Sequence, residues 1–392
     1  MKVKNVGRVG VVLLAAALGA AAMAGPAMAD PNPSTDFRTL TGVGSDTTQD
    51  VMNGFGSLVT DGANAKVIAS WDARGSVQIK TKAANCTFNR PDGSGAGRQA
   101  LRASQGENLG GTNGGAGFFQ GANVANCVDF ARSSSYGGPT PPTTAGNYTY
   151  IPFGVDAVAL ARNANGDIPA NISFAQVQRV YKCFDTAIAG NPVTPRMIQA
   201  ASGTWQFWAG KMGITEAEIN LGDYSCLARD TDSNPATPAA PNFERVQEHD
   251  GTVLNGNLNQ IVPFSAGQFI AQGNTAAIQA ATGVTVTDRR GQAALTGMRL
   301  PGQAIQQPVV GGILNTAFPL RRDVYNVVPT ADLADAAIVN AFVGANSKVC
   351  TTTVNVGGTN RSVIELFGFG KRTNGVDLLN AACGATDLKA NA

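Results

Sequence analysis

The sequence predicts an α/β protein, because short apolar segments typical of strands alternate along the chain with amphipathic segments typical of helices. The chain has 392 residues, of which 43% are hydrophobic and 14% are charged. A chain of this length and apolar content buries a large core, and its low charge is not typical of disordered proteins. The length is usual for about two domains.

The elements follow in order along the chain. Strands are predicted over residues 40–44, 67–71, 126–131, 261–264 and 325–328, and residues 148–161 are predicted to form a buried strand or a pair of strands. Helices are predicted from Ser45 to residue 52 onward, after Ser173, over residues 205–212 and 266–272, and after Thr330, with Gly344 as a stop. The glycine-rich segment 108–123 and the proline-bearing segment 230–242 are predicted to be loops.

The first 29 residues have the pattern of a secretory signal peptide. Three basic residues precede an apolar run over residues 9–24, and the small residues of Ala27-Met28-Ala29 provide a cleavage site after Ala29. A membrane anchor is the alternative, but Gly19, Gly25 and Pro26 interrupt the run. No cysteine follows the run to carry a lipid, so we expect an extracellular protein without an anchor. Removal of the signal changes the net charge from +2 to −1.

The six cysteines all lie after the predicted signal, and an even number in an exported chain predicts disulfides. Six cysteines allow 15 pairings, and the sequence does not choose among them. We favour the sequential pairs Cys86–Cys127, Cys183–Cys226 and Cys350–Cys383. A metal site is the alternative, but no pair has C-x-x-C spacing.

Several function classes are disfavoured by the composition. A nearly neutral chain lacks the basic stripe that nucleic-acid binding requires. The single histidine, His249, is a candidate base, but no G-x-S-x-G elbow accompanies it. The acidic segment from Asp230 resembles the start of a calcium loop but has proline where an EF-hand needs its glycine and glutamate. We therefore expect no metal, no cofactor and no catalysis.

Four loops rich in Ser, Thr and Gly stand at predicted helix starts, and these are residues 44–48, 92–97, 132–135 and 201–204. Helix N-termini carry unpaired N–H groups and a positive dipole end, so they bind oxyanions without net charge. Helix capping explains any one of these loops. Four of them on one α/β chain predict a shared anion site.

The segments LTGVGSDTTQDVM, VDFARSSSYGG, YIPFGVDAVALA, PRMIQAASGTWQFW and FPLRRDVYNVV resemble, in this order, the phosphate-binding proteins that serve ABC-type phosphate importers, a group within the PBP-like type II solute-binding family. The resemblance implies two α/β lobes joined by two crossovers and closing on an anion. Residues 30–152 with 320–392 would form lobe 1, and residues 153–319 would form lobe 2.

The resemblance also implies a set of ligand-binding residues, which are Asp46, Thr47, Ser94, Arg132, Ser133, Ser134, Arg196, Ser202, Gly203 and Thr204. Ser134 stands where the family has an aspartate that accepts the proton of hydrogen phosphate, and Asp46 is a candidate substitute. The family's arginine before Ser-Gly-Thr has no counterpart at the same spacing. Arg196, with Gln199 nearer to Ser202, and Arg132 are the alternatives for the cation.

The leading hypothesis is an exported, non-catalytic protein that captures phosphate or a related oxyanion between two lobes. We expect a monomer, and an ABC-type permease is the partner that the resemblance suggests, although the missing lipid anchor weakens a conventional importer role. The second hypothesis is an extracellular interaction or scaffold protein that keeps the fold and binds no anion. The third is a secreted phosphate-ester hydrolase.

Overall fold

The computed structural model describes residues 30–31, 36–227, 245–372 and 382–391. The predicted signal peptide and the predicted loop over 230–242 lie outside these ranges. The helices, in chain order, are α1 (Gln49–Leu58), α2 (Gly93–Ser104), α3 (Phe174–Tyr181), α4 (Gly203–Met212), α5 (Glu216–Leu221), α6 (Ala266–Gly273), α7 (Thr275–Thr282), α8 (Ala336–Phe342), α9 (Lys348–Thr351) and α10 (Val363–Leu366).

The strands are short except for two that run through the centre of the molecule. In chain order they are β1 (Leu40–Gly44), β2 (Ile68–Ser70), β3 (Gln78–Lys80), β4 (Thr87–Asn89), β5 (Phe118–Phe119), β6 (Ala122–Asn123), β7 (Phe130–Ser133), β8 (Tyr148–Asn163), β9 (Asn171–Ser173), β10 (Ala187–Ile188), β11 (Asn191–Pro192), β12 (Thr194–Pro195), β13 (Gln260–Ser265), β14 (Ala293–Leu295), β15 (Gly297–Arg299), β16 (Val309–Val310), β17 (Ile313–Leu314), β18 (Arg321–Pro329), β19 (Thr353–Val356), β20 (Thr359–Ser362), β21 (Gly370–Lys371) and β22 (Lys389–Ala390).

One mixed sheet organises the fold, with strand order β12-β13-β8-β18-β7-β1-β2. Strand β8 belongs to both halves of this sheet. Its first part, up to Ala157, pairs antiparallel with β18, and from Val158 onward it pairs antiparallel with β13. Helices alternate with these strands, so the predicted α/β class is confirmed, and the sheet has two halves joined through a shared strand.

Separate cores pack on the two halves. The second part of β8 packs with helix α4, and the buried rings of Trp205, Trp208 and Phe264 lie in this core. The first half carries a core around helix α1, with Phe55 and Phe130, and a further cluster of side chains beside helix α2. Each core excludes water from one side of the sheet, so the surface between the two halves is left for polar residues.

Two predicted helix starts have different outcomes. The start at Ser173 is confirmed, because Ser173 and Gln176 form a reciprocal capping box. The start at Thr330 is wrong, because Thr330 begins a single 3-10 turn and helix α8 begins after Asp335. The Asp335 carboxylate accepts hydrogen bonds from the N–H groups of Ala337 and Ile338 at 2.8 and 3.2 Å, which makes it the stronger cap. The predicted loop over 108–123 contains the hairpin β5–β6.

Three disulfides cross-link the described residues, and they are the sequential pairs Cys86–Cys127, Cys183–Cys226 and Cys350–Cys383. Disulfides are typical of an oxidising compartment outside the cytosol. Among the described ranges, no helix has the length and apolar character needed to cross a bilayer.

Candidate functional site

Hydroxyl groups from three sheet or helix ends meet beside the first half of the sheet. The main-chain N–H of Ser134, which follows β7, donates to the Ser94 hydroxyl of helix α2 at 3.0 Å. The Ser134 hydroxyl in turn lies 3.2 Å from the hydroxyls of both Ser45 and Thr47, in the loop after β1. All four side chains are fully buried. The ends of β1, β7 and α2 therefore place four hydroxyls in one buried cluster.

A hydroxyl from the second half completes the cluster. The Oγ1 atoms of Thr47 and Thr204 lie 3.2 Å apart, although 157 residues separate them in sequence. Thr204 is in the first turn of helix α4, whose N-cap Ser202 accepts hydrogen bonds from the N–H groups of Thr204 and Trp205 at 3.1 Å each. The two halves thus approach each other through the starts of helices, where the dipole favours negative charge.

Arg322 supplies a positive charge at the same point. Its Nη2 lies 3.3 Å from the Thr47 hydroxyl and also donates to Thr204. The guanidinium is held by Asp156, to whose Oδ2 it donates from Nη2 at 2.9 Å and from Nε at 3.2 Å. We call Thr47, Ser134, Thr204 and Arg322 the anion cradle, because their donors and the guanidinium charge surround one buried position.

Asp156 is fixed from its other side. Its Oδ1 accepts hydrogen bonds from the Ser265 hydroxyl at 2.8 Å and from the Gly267 N–H at 3.1 Å, at the start of helix α6. Arg322 and Asp156 are also direct partners across the paired strands β18 and β8. The arginine therefore enters the cradle with its position determined by strand pairing and by a buried ion pair.

A carboxylate of the chain itself lies in the cradle. Glu248 Oε1 accepts a hydrogen bond from the Thr47 hydroxyl at 2.7 Å and another from Thr204. The side chain of Glu248 is fully buried, and Nε2 of His249 lies 3.1 Å from the same oxygen. Two donors that would hold a bound oxyanion, the hydroxyls of Thr47 and Thr204, are therefore directed at one oxygen of Glu248.

The backbone around Glu248 is anchored to the second half. The N–H of Val246 donates to the carbonyl of Met197 at 2.8 Å, and Gly251 donates to Arg289 at the same distance. The Gln272 side chain donates to the His249 carbonyl at 2.9 Å. His249 has a φ of +58°, a left-handed conformation that is uncommon for residues other than glycine.

Asp46 and Glu248 form a coupled pair of buried acids. Burial, reinforced by the charge of Glu248, raises the pKa of Asp46 well above its usual value. Burial alone would also raise the pKa of Glu248, but His249, a hydrogen bond from Asp46 and Arg322 hold it well below its usual value. The pKa values of the two acids are thus shifted in opposite directions, so Asp46 keeps a proton more readily than Glu248, as expected for adjacent carboxyl groups.

One group of three residues in the described ranges offers atoms of the types that bind metal ions. The relevant atoms of Asp46, Glu248 and His249 all lie within 4.8 Å of one another. An ion at this position would have to replace the proton that Asp46 keeps and lie near the Arg322 guanidinium, so like-charge repulsion disfavours it.

Most of the residues implied by the sequence resemblance meet at this site, and these are Asp46, Thr47, Ser94, Ser134, Ser202, Gly203 and Thr204. Gly203 lies very close to two hydroxyls of the site, since a Cβ atom at this residue would lie 2.4 Å from the Ser134 hydroxyl and 2.5 Å from the Ser94 hydroxyl. A larger residue at this position would separate helix α4 from helix α2.

The structure does not bring Arg132, Arg196 or Ser133 into the cradle. Arg132 is buried behind the first loop, where it donates to the carbonyls of Gly44 and Ser45 at 3.2 and 3.1 Å. Arg196 donates to the Gln260 side chain at 3.1 Å. Ser133 donates to the carbonyl of Ser135 and accepts from Arg98 at 2.9 Å. These side chains are used in fixing strands and loops, and Arg322 is the cation of the site.

Sequence reasoning missed Arg322, Asp156 and the role of Glu248. A signal was present for Asp156, which is the one charged residue in the apolar segment 148–161, where a charge is rarely buried without a partner. Arg322 lies between Arg321 and Asp323, so its sequence does not distinguish it from its neighbours. Next to the cradle, a cavity of about 370 Å³ is bordered by Ser134, Phe207 and Arg322. Lys211, Arg321 and Asp323 also line it, so its walls carry three basic side chains and one acidic side chain.

No protein-family model and no curated protein matches the chain. Solved structures do. The chain is similar to an ABC-type phosphate transport receptor from Vibrio cholerae, with 16% identity, a TM-score of 0.42, and 76% of this chain and 88% of that chain covered. It is also similar to a putative phosphate ABC transporter substrate-binding protein with bound phosphate from Clostridium perfringens, with 12% identity, a TM-score of 0.42, and 76% and 89% covered.

A third similar structure is a phosphate-binding protein from Stenotrophomonas maltophilia, with 12% identity, a TM-score of 0.39, and 84% of this chain and 90% of that chain covered. At such identities and TM-scores these likenesses carry no argument about the ligand of this chain. By their descriptions, the first two of these structures belong to ABC-type phosphate transport and the third is a phosphate-binding protein.

Proposed function

We propose that the chain is an exported solute-binding protein that captures phosphate or a related tetrahedral oxyanion between its two halves, without catalysis. The observation that supports this most is the cradle itself. The hydroxyls of Thr47 and Thr204, from opposite halves, donate to one buried anionic oxygen, and the guanidinium of Arg322 donates to both of these hydroxyls. Donors of this kind bind an oxyanion through directed hydrogen bonds.

The position of Asp46 fits a ligand that carries a proton. A carboxyl oxygen of Asp46 lies within 4.8 Å of an oxygen of Glu248, and the pKa of Asp46 is raised well above its usual value, which favours its protonated form. With hydrogen phosphate in the cradle in place of Glu248, the ligand would donate its proton in a hydrogen bond to an ionised Asp46. A fully ionised sulfate has no proton to share, so it requires Asp46 to remain protonated. The arrangement therefore favours phosphate and arsenate over sulfate as the pH rises.

The compartment and partners belong to the same proposal. The disulfides and the predicted signal peptide support an extracellular protein, divided into lobes at the boundaries given above. An ABC-type permease is the proposed partner of a monomeric receptor. The hydroxyls of Thr47 and Thr204 donate to the Glu248 carboxylate, and Nε2 of His249 lies 3.3 Å from the Thr47 hydroxyl; we propose that these contacts serve binding.

A scaffold protein that binds no anion is the second candidate. The Glu248 carboxylate favours this candidate, because it already accepts the hydrogen bonds that the Thr47 and Thr204 hydroxyls would donate to an anion. In this case the cradle would serve as a buried polar contact that joins the two halves.

Calorimetric titration of anion-free protein with phosphate, arsenate and sulfate separates these functions. Phosphate capture predicts saturable heat with phosphate and arsenate, with less for sulfate above neutral pH. The Thr204→Val variant should bind phosphate more weakly, and Thr215→Val, which changes a threonine at the start of helix α5 outside the cradle, should bind it as the wild type does. Absence of binding by the wild type up to about 10 mM of every oxyanion would contradict the proposal and favour the scaffold.

A further inference from the structure

The residue at the centre of the cradle does not come from the loops that build it. Thr47 and Ser134 follow strands β1 and β7, Thr204 begins helix α4, and Arg322 lies on strand β18. Glu248 comes from a separate segment, and its carboxylate is fully buried among them. In its contacts Glu248 behaves as a ligand of the site, and the other residues behave as its receptor.

Each feature of those contacts matches what a bound oxyanion would require. The carboxylate is anionic, it accepts hydrogen bonds from one hydroxyl of each half, and a buried arginine with its own counterion lies beside those hydroxyls. A carboxyl oxygen of the neighbouring acid Asp46 lies within 4.8 Å of an oxygen of Glu248. A free oxyanion and the Glu248 carboxylate would therefore use the same donors, and both cannot occupy them together.

The backbone that presents Glu248 is fixed on both sides. Main-chain hydrogen bonds of Val246 and Gly251 tie the segment to the second half, and His249 between them holds a left-handed conformation. Strained backbone of this kind is characteristic of functional sites and is kept where the surroundings enforce it. Because the backbone is anchored, Glu248 leaves the cradle by rotation of its side chain about its own bonds.

We propose that Glu248 is an internal ligand of the anion cradle, which competes with the free oxyanion for Thr47, Thr204 and Arg322. This inference rests on the proposed function. It makes the protein a receptor of reduced affinity, which fills with phosphate only where phosphate is abundant. The internal ligand also keeps the two halves joined when no solute is bound.

The test compares the wild type with Glu248→Ala, which empties the cradle, and Glu248→Gln, which keeps the size of the side chain without its charge. Glu365→Ala is the matched control, since it removes a carboxylate that pairs with Lys371 at the surface. Phosphate should bind Glu248→Ala about tenfold or more tightly than it binds the wild type and the control, with Glu248→Gln between them. The Gln variant also serves if the Ala variant does not fold.

A second readout does not depend on phosphate. Acetate carries the carboxylate that Glu248→Ala lacks, so it should raise the melting temperature of this variant and leave the wild type and Glu365→Ala unchanged. This result would support the internal ligand even if no oxyanion bound the wild type, in which case the proposed capture function alone would fail.

Equal phosphate affinity in the wild type, Glu248→Ala and Glu248→Gln would overturn the inference and leave the capture function standing. Equal gains in the Ala and Gln variants would also overturn it, because removal of charge alone would then account for the change. Absence of any effect of acetate on Glu248→Ala, together with unchanged phosphate affinity, would show that the cradle does not accept a carboxylate as a ligand.

Discussion

Arg322 and Asp156 lie opposite each other across strands β18 and β8, with Nη2 of the arginine 2.9 Å from Oδ2 of the aspartate. The pair is 4% and 0% exposed. It joins the cation of the cradle to the strand that the two halves share. The pairing of β18 with β8 therefore determines the orientation of the Arg322 side chain.

The Asp156→Asn substitution tests this arrangement. It leaves the Arg322 charge buried without its counterion, and breaking a buried pair in this way costs about 3–5 kcal/mol. We expect a loss of that size in the free energy of unfolding, measured with urea. Lys371 and Glu365 form an exposed pair, so Glu365→Ala should cost about 1 kcal/mol or less. Similar losses in the two variants would contradict the assignment of Asp156 to a buried ion pair.

Thr204→Val tests the contribution of the second half to binding. The change keeps the shape of the side chain and removes the hydroxyl, which donates to an anionic oxygen. Phosphate binding should weaken by roughly 1.5–3 kcal/mol, as measured by calorimetry. Thr204→Ser retains the hydroxyl and should bind nearly as well as the wild type. Unchanged affinity in the valine variant would remove helix α4 from the site.

Asp50 predicts a pH dependence of stability. Burial, together with the nearby charge of Asp72, raises its pKa from 3.8 to about 7 in the folded state. Between these values the folded protein holds a proton that the unfolded chain releases, so the free energy of unfolding falls as the pH rises from about 4 to about 7. The upper limit of the fall is on the order of 4 kcal/mol.

The Asp50→Asn variant lacks this titration and serves as the control for it. Urea unfolding of the two proteins at a series of pH values should give a higher free energy of unfolding for Asp50→Asn. The difference between the two proteins should increase toward neutral pH. A constant difference across this range would mean that Asp50 does not titrate there.

Gly97→Ala tests the packing of helix α2 on strand β1, which positions Ser94. A Cβ atom at residue 97 would lie 2.4 Å from the Cα of Gly44, so the helix must move outward. We expect a loss of roughly 1–3 kcal/mol in stability, with weaker phosphate binding. Gly210 is an exposed helical glycine with open space at its Cβ, so Gly210→Ala should stabilise the protein by about 0.5–1 kcal/mol. Stabilisation by both substitutions would contradict the close approach.

The sequence supported those parts of the site that depend on local pattern. Ser94, Ser202 and Thr47 stand at helix starts, and small hydroxyl residues at a helix start have a recognisable function in capping and anion binding. Local pattern also predicted strand β8 as an unusually long apolar segment. These features require no knowledge of contacts between distant residues.

The rest of the site depends on such contacts. Arg322 meets Asp156 across 166 residues of sequence, and only the register of β18 against β8 makes them partners. Arg132 and Arg196 were the alternatives for the cation in the sequence, but the fold uses them to bind carbonyl and amide oxygens elsewhere. Glu248 lies in a segment without regular secondary structure, so periodicity gives no information on where its side chain points.

Strand β8 has a mechanical consequence. Because it changes partners between Ala157 and Val158 without a break, a rotation of one half against the other must twist a continuous strand at this point. Asp156, the counterion of the cradle's arginine, is one residue away from the point of twist. A solute bound at Arg322 would therefore act, through the Arg322–Asp156 ion pair, on the part of β8 that such a rotation would twist.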